Sequence, residues 1–484
     1  MHTSLYSPSY SPFRGLGGRI RELIKYNMKK FLLLISIGLF SSFIFAQLPF
    51  KNNDKVCFMG NSITHGGRYH AYIYLYYATR FPEMNLKFIN CGISGDVASG
   101  MYGRLQKDIY DNNATVATLS VGMNDVNRGL YSTKKLVDNA EQKKREAIEN
   151  YKKNVAKIAD SYRTHNLKTI FFTPTIYEES EAIAVENMKG VNAALGECRN
   201  FVMELGKEYN ATVVDFWKPM FDLNTRMQQK DSNFTLVGKD RIHPQPAGHM
   251  VMAYLFLTQT NAPKDVWNLT IDVKSKKIQM QQNCKISDLK IKSEKISFKN
   301  KELALPFPRI EAAKEAYVLV PINDSLNQQI LKIADLQIGN YAIKINNIEI
   351  GTYSNVDFVK GINLAVNTKT PQYAVADSIA KLVEEDFAKQ SVIRTLRRIE
   401  IKTLAKVNYE NRDTAKAFLK KYIEEMRLQK NNPEANSGYY IMTAQTYLKE
   451  IDNEPVIKTR IDEIERLIYS LNKPQTYSYV IEKI

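Results

Sequence analysis

The sequence predicts an α/β protein built on a parallel sheet, extended by a β-rich region and a helical tail. Three observations carry this. From Lys51 to about Ala262 short apolar runs alternate with longer amphipathic stretches, the pattern of strands and crossover helices. From about Asp265 to Val359 the runs shorten and alternate in polarity, as on a half-buried sheet. After Pro371 apolar residues return at three- and four-residue steps, as on one face of a helix. At 484 residues the chain exceeds one ordinary core, and 44% hydrophobic with 24% charged residues excludes both disorder and a multi-span membrane protein. The expected divisions are a leader over 1–46, an α/β unit over 50–262, a β-rich region over 265–360 and a helical region over 361–484.

In the α/β unit the candidate strands are Val56–Met59, Leu86–Asn90, Val116–Val121, Thr169–Thr173 and Thr212–Phe216. Helical stretches fall near Tyr69–Arg80, Gly100–Ile109, Glu141–His165 and Asn187–Tyr209. A last helix starts after Pro246 and runs to about Gln259, where Asn261-Ala262-Pro263 breaks the pattern. In the β-rich region Thr270–Val273 and Tyr341–Ile345 read as strands, with Asn346-Asn347 as a hairpin turn before Ile348-Glu349-Ile350. In the tail, Val375, Ile379, Leu382, Val383 and Phe387 share one helical face, as do Ile461, Ile464, Leu467 and Ile468. Whether these helices pack on the α/β unit or on each other is left open by the pattern.

At the N-terminus Lys29-Lys30 precede an apolar stretch from Phe31 to Ala46, and small Ala46 stands before Gln47-Leu48-Pro49. That is the order of an export signal, with Met28 as an alternative start. The competing reading is a permanent anchor, for which the apolar run is short. The expected location is therefore outside the cytoplasm, periplasmic or secreted, with no stable membrane insertion after cleavage. The formal charge of +16 is partly leader, and elsewhere lysines are interspersed with acids, which describes a solvated basic surface. No nucleic-acid partner is expected. Cys57, Cys91, Cys198 and Cys284 lie far apart without paired spacing, which favours buried free thiols over the disulfides an exported protein could form and over a zinc site.

Four segments carry chemistry. Gly60-Asn61-Ser62-Ile63-Thr64 follows the first strand, placing Ser62 at a carboxyl end of the sheet, where α/β proteins build their sites. Ser62 also stands near a helix start, where outward N–H groups favour developing negative charge. Asp240-Arg241-Ile242-His243-Pro244 closes the unit. A carboxylate on one imidazole nitrogen fixes the tautomer that lets the other nitrogen take a serine proton. Three-residue spacing puts Asp240 and His243 on one side of a turn, and Pro244 keeps His243 extended. Gly92-Ile93-Ser94-Gly95-Asp96 and Gly122-Met123-Asn124-Asp125 follow the second and third strands. The N–H groups of Ser62 and Gly95 and the Asn124 amide are candidate donors to a tetrahedral oxyanion. Taken singly, Ser62, Gly95 and Asn124 also fit ordinary turn or cap roles, and Asp240 and His243 a solvated pair.

The four segments in this order resemble the SGNH hydrolase superfamily, the GDSL esterases, over roughly residues 51–262. The resemblance implies a three-layer flavodoxin-like fold, Ser62 as nucleophile, His243 as general base, Asp240 as its orienter, and an oxyanion hole of Ser62, Gly95 and Asn124. Asn61 stands where many members carry Asp. Thr64–His70 and Gln245–His249 look like the exported bacterial branch associated with carbohydrate deacetylation. The expected activity is hydrolysis of small acyl esters, most simply acetyl esters on an oligo- or polysaccharide, without metal or organic cofactor. The alternatives are a lipid or lysophospholipid esterase or thioesterase, and a non-catalytic carbohydrate-binding protein. Asp96 and Asp125 read as braces for the donor loops, His65, His70 and His249 as packing residues, and Arg68 and Arg128 as loop-edge cations. Tyr72, Tyr74, Tyr76 and Tyr77 read chiefly as helix packing.

Overall fold

The computed structural model describes residues 48–180, 183–292, 294–428 and 437–484. The export signal expected over 1–46 lies outside the described residues. Five fully parallel strands form the first sheet: β1 (Lys55–Gly60), β2 (Lys87–Gly92), β3 (Val116–Ser120), β4 (Lys168–Phe172) and β5 (Thr212–Val214). Their order is β2-β1-β3-β4-β5. In such a sheet the connections leave β1 and β3 toward opposite faces, so a crevice opens beyond their carboxyl ends. The segments carrying Ser62 and Asn124 leave those two strands.

The sheet is covered on both sides, which is why β1 and β3 are almost continuously apolar. One side carries α2 (Tyr69–Arg80) and α7 (Pro246–Gln259), after the single turn α1 (Ser62–His65). The other carries α3 (Ala98–Gly103), α4 (Ala140–Thr164) and α5 (Val191–Glu208), with α6 (Trp217–Gln228) following β5. Two local expectations shift. The helix expected over Gly100–Ile109 breaks at Arg104 and resumes as a π-turn at Gln106–Tyr110. The helix expected from Asn187 starts at Val191, because Gly190 takes φ +96 and cannot lie in a helix. α6, with a polar outer face, had no counterpart in the sequence reading.

The β-rich region is a sandwich. One sheet orders β13 (Ile362–Asn363), β10 (Gln328–Ala334), β6 (Asp265–Asp272) and β7 (Lys277–Gln282). The other orders β12 (Ile348–Ser354), β11 (Asn340–Ile345), β14 (Thr476–Lys483), β9 (Lys295–Glu302) and β8 (Cys284–Ile291). Trp267, Phe298, Ile343 and Tyr479 fill the space between them. Asn346 and Asn347 turn the β11–β12 hairpin with φ of 49° and 66°, the paired left-handed geometry that asparagine tolerates. The expectation that 361–484 is helical fails over its last residues. In β14, Tyr477, Tyr479 and Ile481 point inward between exposed Thr476 and Ser478, a strand period rather than a helical one.

The tail helices are α8 (Pro371–Arg398), α9 (Arg412–Leu428), α10 (Ser437–Glu450) and α11 (Glu454–Leu471). They settle the open question of packing: α8 lies against α2 and the free edge of β2, with α11 beside it. Gln390 on α8 accepts from Asn90 N at 2.7 Å and donates to Phe88 O at 2.9 Å, so one side-chain amide pairs the edge as a neighbouring strand would. On α11, Tyr469 Oη donates to Leu86 O at 2.7 Å and accepts from Leu86 N at 2.8 Å. This cover explains α2, in which every residue is buried, including its run of tyrosines. All four cysteines are buried free thiols.

Candidate active site

Ser62 opens α1 directly beyond β1. Asn61 Oδ1 accepts from Ile63 N at 3.0 Å and caps the turn. As first residue of the turn, Ser62 keeps an N–H without an intrahelical acceptor. His243 arrives from the far end of the unit, on the loop before α7. Its Nε2 lies 2.7 Å from Ser62 Oγ, and its Nδ1 lies 2.5 Å from Asp240 Oδ2. Asp240 Oδ1 also accepts from the backbone N–H groups of Ile242 and His243, both at 3.1 Å. Half-burial opposes ionisation of Asp240, but the His243 ring and these two N–H groups outweigh it and hold the carboxyl at about 2.

The loop that carries the pair is anchored by its own arginine. Arg241 adopts φ +68 and is 1% exposed. Its guanidinium donates to the carbonyls of Val185, Glu178, Ser180 and Ile183 at 2.7–2.9 Å. The motif residue between Asp240 and His243 thus ties their loop to the segment after β4. The sequence reading passed over it, since a charged residue in an exposed motif gives no sign of burial.

The loops after β2 and β3 meet the Ser62 loop through backbone and side chains. Ile93 N donates to Gly60 O at 3.0 Å. Ser94 N donates to His65 Nδ1 at 3.2 Å, so that nitrogen is an acceptor and the ring proton sits on Nε2. Burial, then the fields of Arg394 and Arg398, lower His65 to about 3 and keep it neutral. Gly95 takes φ +78, and a side chain there would meet nothing within 4 Å, so its backbone borders open space. Asn124 Nδ2 donates to Asp96 O at 2.9 Å, joining the third loop to the residue after Gly95. Arg128 donates to Asn124 Oδ1 at 3.0 Å and to Met123 O, which fixes which end of the amide faces Asp96. Asp125 accepts from Ala98 N at 2.7 Å and Gly122 N at 3.2 Å; burial raises its carboxyl to about 6 against these bonds. Of the remaining histidines, burial lowers His70 to about 4 and His249 to about 3, and His249 stacks on Tyr69 at 6.2 Å.

A doubly wound sheet with a serine, an imidazole and a carboxylate in hydrogen-bonded line at its carboxyl end defines the class: a hydrolase of carboxylic esters. Residues 56–256 match the GDSL-like Lipase/Acylhydrolase family, and the chain belongs to that family. The solved structure of BT4096, a gut microbial diltiazem-metabolizing enzyme, superposes with a TM-score of 0.79 at 32% identity, covering 91% of this chain and 99% of that one. The similarity therefore runs through the sandwich and the tail helices. An acetylxylan esterase of Geobacillus stearothermophilus is 22% identical over 223 residues, which is 43% of this chain and 94% of the relative. Among the described residues no helix is long and apolar enough to cross a membrane.

Proposed function

We propose that this esterase removes small acyl groups, chiefly acetyl, from carbohydrate esters outside the cytoplasm, using Ser62, His243 and Asp240 as its triad. One observation carries the assignment of the triad: the unbroken line from Asp240 Oδ2 to His243 Nδ1 at 2.5 Å and from His243 Nε2 to Ser62 Oγ at 2.7 Å. In this reading Ser62 Oγ attacks the ester carbonyl while its proton passes to His243 Nε2, and Asp240 stabilises the imidazolium. The Ser62 and Gly95 N–H groups and the Asn124 amide receive the oxyanion. Collapse returns the proton to the departing alkoxide and leaves an acyl-serine. Water, deprotonated by His243, then releases the acid and restores the serine. These steps require no metal or organic cofactor.

The acetyl and carbohydrate preference is supported by the relation to an acetylxylan esterase and by Thr64–His70 and Gln245–His249. Export is supported by the basic, apolar and small-residue order ending at Ala46. The test is acetate release from acetylated xylo-oligosaccharides and from p-nitrophenyl acetate, with the decanoate ester and diltiazem, itself an acetate ester, in parallel. Ser62→Ala is expected to lower kcat by at least about 10³-fold at unchanged folding. Rates that rise toward the decanoate ester would remove the acetyl preference, and a fully active Ser62→Ala would remove the triad.

A further inference from the structure

Beneath the donor loops runs a chain of alternating charges that starts and ends in the tail. Lys402 lies in the π-turn Ile399–Thr403 that follows α8, and its Nζ donates to Asp96 Oδ1 at 2.9 Å. Arg104 Nε donates to Asp96 Oδ2 at 2.8 Å and its guanidinium also pairs with Asp108. Arg394, two turns before Lys402, grips Asp108 with both terminal nitrogens at 2.7 and 2.8 Å. Asp96 is 1% exposed at its side chain, and Arg104, Asp108 and Arg394 are about as buried. Lys402 is the one member that reaches solvent, at 34%.

The chain also braces the backbone of the site. Its two arginines donate to the carbonyls that end the strands of the site: Arg104 to Gly60 O at 3.0 Å and Cys91 O at 2.7 Å, and Arg394 to Gly92 O at 3.1 Å. Asp96 directly follows Gly95, and its own carbonyl holds the Asn124 amide. A methyl group at Gly100 would stand 2.1 Å from Asp96 Oδ1, so the backbone there is cleared for the carboxylate. Asp96 therefore fixes two proposed oxyanion donors at once, and Lys402 holds the carboxylate oxygen that Arg104 does not reach.

We propose that Lys402, contributed by the C-terminal helical region, is a positioning residue for the oxyanion donors Gly95 and Asn124, acting through Asp96. The proposal rests on the oxyanion reading of those two residues. Without Lys402, one oxygen of a buried carboxylate loses its partner, and Asp96 must tilt or draw in water. Its backbone then carries Gly95 and Asn124 with it. Substrate binding is untouched, because the donors matter most when charge develops on the carbonyl oxygen.

The experiment compares the full-length protein with Lys402→Met, Lys402→Arg and Asp462→Asn, using p-nitrophenyl acetate kinetics and thermal unfolding. The last variant breaks the Lys87–Asp462 ion pair, which also joins tail and sheet but at the amino end of β2. Lys402→Met is expected to lower kcat by about 10- to 100-fold, the scale of a misplaced rather than deleted donor. Its KM stays near wild type while its unfolding midpoint falls, Lys402→Arg recovers most of kcat and of the midpoint, and Asp462→Asn matches wild type. If Lys402→Met proves unstable, the kcat of Lys402→Arg relative to Lys402→Gln decides in its place. An active wild type whose kcat is indifferent to Lys402→Met, or equally sensitive to Asp462→Asn, overturns the positioning role alone. A wild type without esterase activity removes the oxyanion reading and this proposal together.

Discussion

The two halves of the site are held in place by different means. His243 and Asp240 share one loop, three residues apart, and their side chains are 42% and 50% exposed. The donor loops rest on buried charges, and Asp96 takes a partner 306 residues further along the chain. On the proposed mechanism the contrast follows from what each half does. Imidazole and carboxylate need one short hydrogen bond, which a turn can supply even beside water. Donors to an oxyanion act by not reorganising, so they need rigid, dry support beneath them. A local turn supplies the first requirement, while the second draws on the whole fold.

The comparison breaks first at Asp240. Asp240→Asn is expected to lower kcat by about 10³- to 10⁴-fold, because the ring loses the partner that sets its tautomer. A loss under tenfold in steady-state ester hydrolysis would mean that something other than this loop orients His243. Next in size is Arg241→Met, which strands the carbonyls of residues 178, 180, 183 and 185 and is expected to destabilise the protein by about 2–4 kcal/mol in urea unfolding. Unchanged stability would show that the acid–base loop needs no such anchor.

Two buried carboxylates sharpen the contrast between supported and unsupported charge. Burial opposes ionisation of Asp108, but Arg394 and Arg104 prevail and hold it at about 2. Its contribution to stability is therefore present above the unfolded value near 4 and fades as pH falls toward 2. Glu302, in the sandwich, forms no ion pair among the described residues and is bonded instead by the Gln329 and Gln372 amides. Burial raises it to about 7, against the hydrogen bond that Tyr479 donates. The folded state keeps that proton between about pH 4.5 and 7 while the unfolded chain has lost it, so stability falls as pH rises through this window. Glu302→Gln is expected to flatten the dependence of the melting midpoint on pH between about 5 and 8. An unaltered slope would place its origin elsewhere. The smallest effect belongs to the exposed Lys87–Asp462 pair, where Asp462→Asn is expected to change stability by less than about 1 kcal/mol.

The legibility of the molecule in its sequence divides along the same line. The helices over Tyr69–Arg80 and Pro246–Gln259 have the expected bounds, because apolar spacing and a leading proline mark them. The five strands of the α/β unit stand within a few residues of expectation. Ser62, Asp240 and His243 were legible as candidates because each sits in a compact motif beside a strand end or a proline. Arg104, Asp108, Arg394 and Lys402 were not. Arg104 and Asp108 stand four residues apart, the spacing of an ordinary surface ion pair, and nothing local reveals that both are buried. Arg394 and Lys402 look like solvated residues of a basic tail until the tail is seen against β2. β14 was legible in principle, since its tyrosines alternate with polar residues, but it follows a long helical stretch that masks the change of period.

That strand has a consequence for how the chain is made. β14 lies between β11 and β9, pairing Ile481 with Ile343 and Tyr479 with Phe298. During synthesis its partners leave the ribosome more than a hundred residues before it does, and each waits with an unpaired edge. The sandwich can close only after every tail helix has been translated. Until then Ile296, Phe298, Ile343 and Ile345 stand at those edges as adhesive surface, which makes the nascent chain a natural client for chaperones and a truncated one prone to aggregate.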